Sequence, residues 1–279
     1  MSIASNQTSP IGIFDSGYGG LTVLDEIRKE LSEYDFIYLG DNARTPYGTR
    51  SYEVVYKFTL QCVEFLFKQG CHLVILACNT ASAKALRSIQ QNDLPRIDPE
   101  RRVLGVIRPT AEIVGSLTQS KHVGLFATSG TVQSESYPLE IQKVSPDVTV
   151  TSEACPMWVP LIENNEHLSQ GADYFVRKHT ENLMKADAEI DTVILGCTHY
   201  PLLRTKIEHA LPDKVQVISQ GGIVAKSLKD YLHRHPEMDK KCSKGSSIRY
   251  LTTENSDKFS SSASLFLSDK VPAEHVEMN

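Results

Sequence analysis

This sequence lacks the features that mark membrane, secreted and nucleic-acid-binding proteins. No stretch reaches the roughly 18 consecutive apolar residues of a membrane span, and the start of the chain has neither the basic nor the apolar region of a secretory leader. Charged residues of both signs are interspersed, and the formal net charge of the 279 residues is -5. Such a weak, scattered charge gives no reason to expect a nucleic-acid or membrane partner. We therefore expect a cytoplasmic protein whose partner is a small molecule.

Signatures of disulfide, nucleotide and metal chemistry are missing as well. The six cysteines show neither CxxC spacing nor the density of a disulfide-stapled domain, so we expect reduced thiols. The glycine-rich loop at residues 15–20 lacks GxGxxG spacing, and Asp15 at its entrance would repel a phosphate. Cys197 and His199 form a single CxH pair, which falls short of the ligand set of a zinc site. Since we also find no lysine placed for a Schiff base, we predict neither cofactor nor metal.

The chain alternates short apolar runs with longer segments of helical period. Residues 11–14, 36–39 and 73–77 are apolar runs typical of buried strands. Within residues 51–69, apolar side chains recur at helical spacing, which predicts an amphipathic helix that Gly70 ends. This order is typical of an α/β fold with mostly parallel sheets.

The same order of motifs occurs twice. The run at residues 11–14 has a counterpart at residues 123–126, and each precedes a turn that contains serine and glycine. Residues 74–80 (VILACNT) are matched by residues 193–199 (VILGCTH), so each half has an apolar strand that ends in a cysteine. Chance similarity is the alternative, because β-branched runs are common in buried strands. A structural repeat predicts two similar domains, related by pseudo-twofold symmetry, that present their thiols to one cleft.

The repeat also sets the expected domain limits. We predict a first α/β domain formed by residues 1–105 and 212–279, and a second formed by residues 106–211. The chain is expected to cross back after the second repeat, because residues 215–218 form one more apolar run. The active site is expected in the interdomain cleft.

Cys78 and Cys197 differ from the other cysteines because each lies between a strand and a helix. A helix N-terminus presents free N–H groups and a partial positive charge, which lower a thiol pKa from about 8.5 and bind carboxylates. Asn79, Thr80 and Thr198 add side-chain donors, although each taken singly could be a helix cap. The remaining cysteines are predicted to be small buried hydrophobes: Cys62, Cys71, Cys155 and Cys242.

Three further groups have both a structural and a functional interpretation. Asp15 either caps a helix or orients an ammonium group and influences a neighbouring thiol. Residues 41–48 form a turn that contains proline and glycine, yet they carry more functional groups than a turn needs and are candidates for ligand contact. His199 is either a satisfied histidine of the core or surface, or an acid–base group beside Cys197.

Several motifs resemble those of glutamate racemases. They are DSGYGGLT at residues 15–22, YLGD at 38–41, PYG at 46–48, ACNTAS at 77–82 and GCTHYPL at 196–202. Weaker matches extend the similarity over nearly the whole chain, at residues 130–132, 154–156 and 250–266. The resemblance implies a racemase, independent of pyridoxal phosphate, that interconverts L- and D-glutamate and supplies D-glutamate for peptidoglycan.

The resemblance assigns roles to individual residues. It implies that Cys78 and Cys197 are the two acid–base residues, that Asp15 assists the first, and that His199 and Glu163 assist the second. Racemisation needs a base on one face of the α-carbon and an acid on the other, which a repeat with two thiols supplies. The residues implied in substrate binding are Asp15, Ser16, Tyr47, Gly48, Asn79, Thr80, Thr131, Thr198 and His199.

The sequence departs from the glutamate racemase pattern at two positions, and two other functions are alternatives to glutamate racemisation. Arg108 stands where an acidic residue is expected before Pro109, and Trp158 where a smaller aromatic residue is usual, which puts regulation or interfaces in doubt. One rival is a racemase of aspartate or a related acid in the same superfamily, for which the thiol pair is equally apt. The other is a two-domain small-molecule-binding protein or thiol sensor without turnover. A homodimer is one expected assembly, but the sequence does not determine the oligomeric state.

Overall fold

The computed structural model describes residues 8–267 and 271–278, which form two β-sheets covered by helices. Every strand pairing recorded within these residues is parallel. The strands are β1 (Ile11–Asp15), β2 (Phe36–Gly40), β3 (Leu73–Leu76), β4 (Arg102–Gly105), β5 (His122–Ala127), β6 (Thr149–Ala154), β7 (Thr192–Gly196), β8 (Gln216–Ile218), β9 (Ile248–Thr252) and β10 (Ala273–His275).

The first sheet has the order β10-β9-β2-β1-β3-β4, and the second has the order β6-β5-β7-β8. All residues of β1, β2, β3 and β7 are buried, as expected for parallel strands covered on both faces. The predicted strands at residues 11–14, 36–39 and 73–77 are confirmed, with small differences at their ends.

The internal repeat is structural. The order β2-β1-β3-β4 in the first sheet corresponds to β6-β5-β7-β8 in the second. The register agrees as well, since Gly12 pairs with Val74 and Gly124 pairs with Val193, which are equivalent positions of the repeated motifs. The prediction of two similar, parallel α/β units is therefore confirmed.

The predicted return of the chain at residue 212 is wrong by one strand. β8 pairs with β7 and completes the second sheet, just as β4 pairs with β3 at the edge of the first. The repeat thus has four strands, and the chain crosses back after β8, at Gln220, having crossed outward after β4, at Val106. We call the part built on the first sheet the first half and residues 107–219 the second half.

Helices cover both faces of each sheet. Within the described residues, no helix is long and apolar enough to cross a membrane. Short 3-10 segments lie at Asn42–Arg44 and Tyr200–Leu203, and a π-helical turn at Ile89–Asp93. The α-helices are α1 (Gly20–Glu30), α2 (Tyr52–Lys68), α3 (Asn79–Lys84), α4 (Leu86–Ser88), α5 (Leu94–Ile97), α6 (Ile107–Leu117), α7 (Ser129–Gln133), α8 (Ser136–Val144), α9 (Trp158–Glu163), α10 (Gln170–Ala186), α11 (Arg204–Ala210), α12 (Gly221–Arg234), α13 (Pro236–Asp239) and α14 (Ser256–Ala263).

Helix α2 shows how local sequence sets an element. The side chain of Ser51 caps it by accepting the N–H of Val54 at 3.4 Å. Its apolar face, which includes Val55 and Leu66, packs against the first sheet. The chain then turns at Gly70, whose φ of 99° lies in the left-handed region that favours glycine. The predicted helix and its end are confirmed.

Candidate active site

The carboxyl ends of β1, β3, β5 and β7 meet between the two halves. In a parallel sheet the loops at these ends form the crevice where ligands bind. A cavity of about 70 Å³ lies at this place, and both Cys78 and Cys197 belong to its wall. The wall consists of Ser16, Pro46, Tyr47, Gly48, Thr49, Cys78, Asn79, Thr80, Thr128, Ser129, Pro156, Val159, Pro160, Cys197, Thr198 and His199.

Cys78 occupies the N-cap position of α3. Its Sγ accepts the N–H of Ala81 at 3.4 Å and donates to Oγ of Ser16 at 3.4 Å. Burial raises the pKa of the Cys78 thiol to about 12, and the Asp15 carboxylate adds to the rise, whereas Ser16 and Ala81 oppose it. The lowered pKa predicted from the helix N-terminus is therefore wrong for this thiol, because loss of solvation outweighs its hydrogen bonds. Cys78 is a protonated thiol that can donate a proton.

Cys197 has a different partner. Its Sγ lies 4.0 Å from Nδ1 of His199, and Nε2 of His199 lies 3.1 Å from Oε1 of Glu163. Burial disfavours the charged imidazole, but the contacts with Cys197 and Glu163 outweigh it and raise the pKa of His199 to about 10. His199 is therefore an imidazolium at neutral pH. Its positive charge stabilises negative charge on the neighbouring sulfur.

Asp15 is fully buried at the end of β1 and is not among the residues of the cavity wall. Its Oδ2 accepts the N–H of Gly17 at 2.9 Å, and its Oδ1 accepts the hydroxyl of Thr198 at 3.4 Å. Burial raises the pKa of Asp15, while His199 and the N–H groups of Gly17 and Gly20 oppose the rise. Asp15 thus connects the strand end of the first half with the Cys197 loop of the second.

The loops of the two halves interlock around the cavity. The N–H of Gly130 donates to the carbonyl of Gly48 at 2.8 Å, which joins α7 to the loop that carries Tyr47. A Cβ at Gly19 would lie 2.3 Å from Nδ1 of His199, so this close approach requires glycine. These contacts hold the two halves close together around the cavity.

A buried polar cluster holds Tyr47 in the cavity wall. The fully buried Asp41 accepts the hydroxyl of Tyr47, Nε of Arg44 at 2.7 Å and the hydroxyl of Thr253 at 2.9 Å. Since these partners come from the loop and from the segment after β9, they fix the loop in one position. Tyr47 and Gly48 line the cavity, so the turn at residues 41–48 contributes side chain and backbone to the candidate site.

Known proteins share both the sequence and the fold. A family model described as Asp/Glu/Hydantoin racemase matches residues 11–228. The glutamate racemase of Ruegeria sp. (strain TM1040) is 42% identical over 277 residues, covering 95% of this chain and 98% of that protein. The crystal structure of a glutamate racemase from Bacillus anthracis has a TM-score of 0.87 at 33% identity, covering 97% and 98%. That of glutamate racemase from Francisella tularensis, in complex with D-glutamate, has a TM-score of 0.86 at 32% identity, covering 98% of each chain.

The chain belongs to the glutamate racemase family. Neither of its two departures from the family pattern belongs to the described cavity wall. Trp158 is fully buried in the second half, with its ring centroid 5.0 Å from that of Phe126 and 4.8 Å from that of Tyr200. Arg108 is exposed and pairs with Glu112 at 2.8 Å, beside a separate cleft of about 710 Å³. Trp158 therefore fills the core, and Arg108 belongs to the surface.

Three residues assigned by the glutamate racemase resemblance are not among the residues of the cavity wall. Asp15 and Glu163 reach it through Thr198 and His199. The hydroxyl of Thr131 lies 3.3 Å from that of Thr80, across the boundary between the halves. Their roles in catalysis or binding stay predictions.

Sequence reasoning missed several residues of the wall: Thr49, Thr128, Ser129, Pro156, Val159 and Pro160. A signal for Thr128 existed, because the repeat aligns it with Ser16 at the equivalent strand end. Residues 156–160 carry no acid–base or charged group, and only the fold brings them to the cavity. Nothing in their local sequence marks them as part of a glutamate racemase site.

Proposed function

We propose that this chain interconverts L- and D-glutamate without a cofactor, with Cys78 and Cys197 as the two acid–base groups. The observation that carries the proposal is the placement of two repeat-related thiols on the wall of one cavity between the halves. Membership of the glutamate racemase family supports glutamate as the substrate. The product D-glutamate would serve peptidoglycan synthesis, as in the family at large.

The reaction moves one proton on each face of the α-carbon. One sulfur, as thiolate, removes the α-proton, and the electron pair of the broken C–H bond stays on the carbon as a carbanion. The opposing thiol then transfers its proton to the other face, which forms the new C–H bond and leaves a thiolate there. Proton exchange with solvent restores the starting state. Each thiol is the base in one direction and the acid in the other.

The cavity wall supplies donors for the substrate. Ser16, Asn79, Thr80 and Thr198 carry hydroxyl or amide groups on this wall. Negative charge grows on the substrate as the α-proton leaves, and donors in a closed site stabilise that charge more strongly than in water. The halves must move apart to admit substrate, because their loops contact each other around a cavity of only about 70 Å³.

Different ionisable residues lie near the two thiols. Asp15 lies behind Cys78 and favours its protonated form. His199, held by Glu163, lies beside Cys197, with its Nδ1 4.0 Å from the sulfur. Cys78, whose thiol pKa is raised, is the acid in one direction of the reaction. The reverse reaction requires that both thiols exchange protonation states.

Racemisation can be followed from the circular dichroism of the substrate, starting from each enantiomer. We expect Cys78→Ala and Cys197→Ala each to abolish racemisation, whereas Cys242→Ala, a change in the core of the first half, retains it. In deuterated water, product formed from either enantiomer carries deuterium at the α-carbon. Unreacted substrate recovered early stays largely protonated, because each base exchanges its proton only after turnover.

Each rival function predicts another result. Near-normal racemisation by either alanine variant, or efficient return of the substrate's own proton to the product, contradicts the two-thiol assignment. Faster turnover of aspartate than of glutamate identifies the aspartate-type racemase. Normal folding with no turnover of either acid identifies a binding protein or thiol sensor.

We also place the reaction in the cytoplasm, because both sulfurs must stay reduced to act as acid and base. All six cysteines are free thiols in the described structure. A homodimer stays a prediction, which analytical ultracentrifugation can measure.

A further inference from the structure

A buried hydrogen-bond chain runs from the interdomain crossings to the cavity wall. Gln220, Tyr137 and Asn79 form it, with relative exposures of 4%, 0% and 2%. We propose that Tyr137, held by Gln220, is a positioning residue that turns the side-chain amide of Asn79 toward the bound amino acid. The inference rests on the proposed function, since it names how that site holds its substrate.

One backbone carbonyl determines which group donates and which accepts in each of these hydrogen bonds. The carbonyl of Val106 can only accept, and Nε2 of Gln220 lies 3.2 Å from it and 3.1 Å from the hydroxyl of Thr110. The amide nitrogen of Gln220 therefore faces this side. The same nitrogen also donates to the hydroxyl of Tyr137. Because that oxygen already accepts from Gln220, the single proton of Tyr137 is directed to its other neighbour.

That neighbour is Oδ1 of Asn79, which accepts the Tyr137 hydroxyl at 2.6 Å. With Oδ1 engaged, Nδ2 of Asn79 points away from Tyr137. Among the described residues this buried nitrogen has no hydrogen-bond partner, although Asn79 belongs to the cavity wall. A buried donor without a partner costs free energy, and a substrate carboxylate in the cavity is suited to accept from it. Reversal of the amide would present an oxygen to that carboxylate and repel it.

The hydrogen bonds of Gln220, Tyr137 and Asn79 also connect the two halves. Asn79 belongs to the first half and Tyr137 to α8 of the second, so their hydrogen bond crosses the boundary. Val106 and Gln220 are the two points where the chain passes between the halves, and the hydrogen bond of Gln220 ties these points together. The orientation of Asn79 is therefore set by the closed arrangement. Substrate meets the correctly turned amide only when the halves are together.

Tyr137→Phe removes the hydroxyl and leaves the ring. We expect KM for both enantiomers to rise about tenfold, because the amide already binds the carboxylate in the ground state, and kcat to fall by a smaller factor, because negative charge on the substrate grows in the transition state. The matched control is Tyr34→Phe, which removes a hydrogen bond of 2.6 Å from a buried tyrosine to Asp239, among residues outside the described cavity wall. Its KM should be unchanged, whatever its effect on Tm.

A double-mutant cycle separates positioning from packing. In an Asn79→Ala background, Tyr137→Phe should cause no further rise in KM, because the group on which it acts is gone. Gln220→Leu, which keeps the Tyr137 hydroxyl but no longer directs it, should raise KM in the same sense. This second variant keeps the test decisive if Tyr137→Phe folds poorly.

Two results would overturn the proposal: an unchanged KM in folded Tyr137→Phe and Gln220→Leu, or an equal rise caused by Tyr137→Phe with and without Asn79. The wild-type chain is assayed with glutamate first. Absence of wild-type turnover contradicts the proposed function itself. Normal wild-type turnover with unaffected variants contradicts only the role of Tyr137 and Gln220.

Discussion

The contact between Glu163 and His199 permits a quantitative test of the environment of Cys197. Glu163→Gln keeps the shape of the side chain and removes its charge. The carboxylate lies 3.1 Å from Nε2, and the side chains of His199 and Glu163 are 5% and 18% exposed, so solvent screens the pair only in part. A hydrogen bond between charged groups contributes roughly 1.5–3 kcal/mol. Expressed as a rate, this corresponds to roughly ten- to a hundredfold.

We expect kcat/KM of Glu163→Gln to fall by that factor from both enantiomers. The basic limb of its pH profile should move to lower pH, since loss of the carboxylate lowers the pKa of His199 from about 10. The raised pKa of His199 stabilises the fold fully below the unfolded value of about 6.5, and this stabilisation is lost as the pH rises through the folded value. The difference in Tm between wild type and variant should therefore be largest below about pH 6.5 and shrink as the pH rises toward about 10.

Glu153→Gln is the matched control. Glu153 accepts from Nδ1 of His179 at 2.7 Å, and the side chains of His179 and Glu153 are 7% and 21% exposed, close to the values of the pair His199 and Glu163. This second pair lies in the same half, among residues outside the described cavity wall. Its variant should lose Tm but keep the pH profile. An unmoved profile in Glu163→Gln, or an equal shift in Glu153→Gln, refutes the reasoning.

Three other perturbations have defined outcomes. Asp15→Asn should lower kcat by roughly a hundredfold or more with little change in Tm, and the opposite pattern would make Asp15 a folding residue. Hydrogen bonds from two N–H groups and two threonine hydroxyls outweigh burial and hold the pKa of Asp191 below its usual range. The stability that these hydrogen bonds contribute is present above the unfolded pKa of about 3.9 and is lost as the pH falls. The difference in Tm between wild type and Asp191→Asn should therefore become smaller in acid, and a difference that stays constant with pH contradicts this. Activity should survive dialysis against EDTA, and recovery of a dialysed, inactive sample by metal or pyridoxal phosphate would contradict the thiol mechanism.

The sequence was sufficient to predict that the two thiols belong to the site, because two local patterns occur together at each of them. Cys78 and Cys197 end apolar strands, and the surrounding motifs repeat. The structure preserves the register of that repeat, from Gly12 with Val74 to Gly124 with Val193. Strand ends in parallel sheets meet at one edge, so pattern alone brings both thiols toward a common cleft.

Features that depend on closure could not be predicted in the same way. The direction in which the Cys78 pKa shifts depends on burial in the folded chain, which no local motif shows. Tyr137 is separated from Asn79 by 58 residues and from Gln220 by 83, so only the folded chain makes them neighbours. The domain limit at 212 was wrong because the short strand β8 was not recognised as the counterpart of β4.

The repeat supplies like thiols but unlike partners, and this difference has a kinetic signature. It aligns Asp15 with Ala127 and Thr80 with His199, so a carboxylate supports one thiol and an imidazolium the other. L- and D-glutamate have equal free energies, so kcat/KM must be the same in both directions at every pH. The asymmetry can therefore appear only in kcat and KM taken separately. Initial rates are measured from each enantiomer across the pH range. The profile of kcat against pH should differ between L- and D-glutamate, whereas the profile of kcat/KM should be the same for both. Superimposable kcat profiles would contradict the unlike environments of the two thiols, whereas unequal kcat/KM would show that the assay measures more than racemisation.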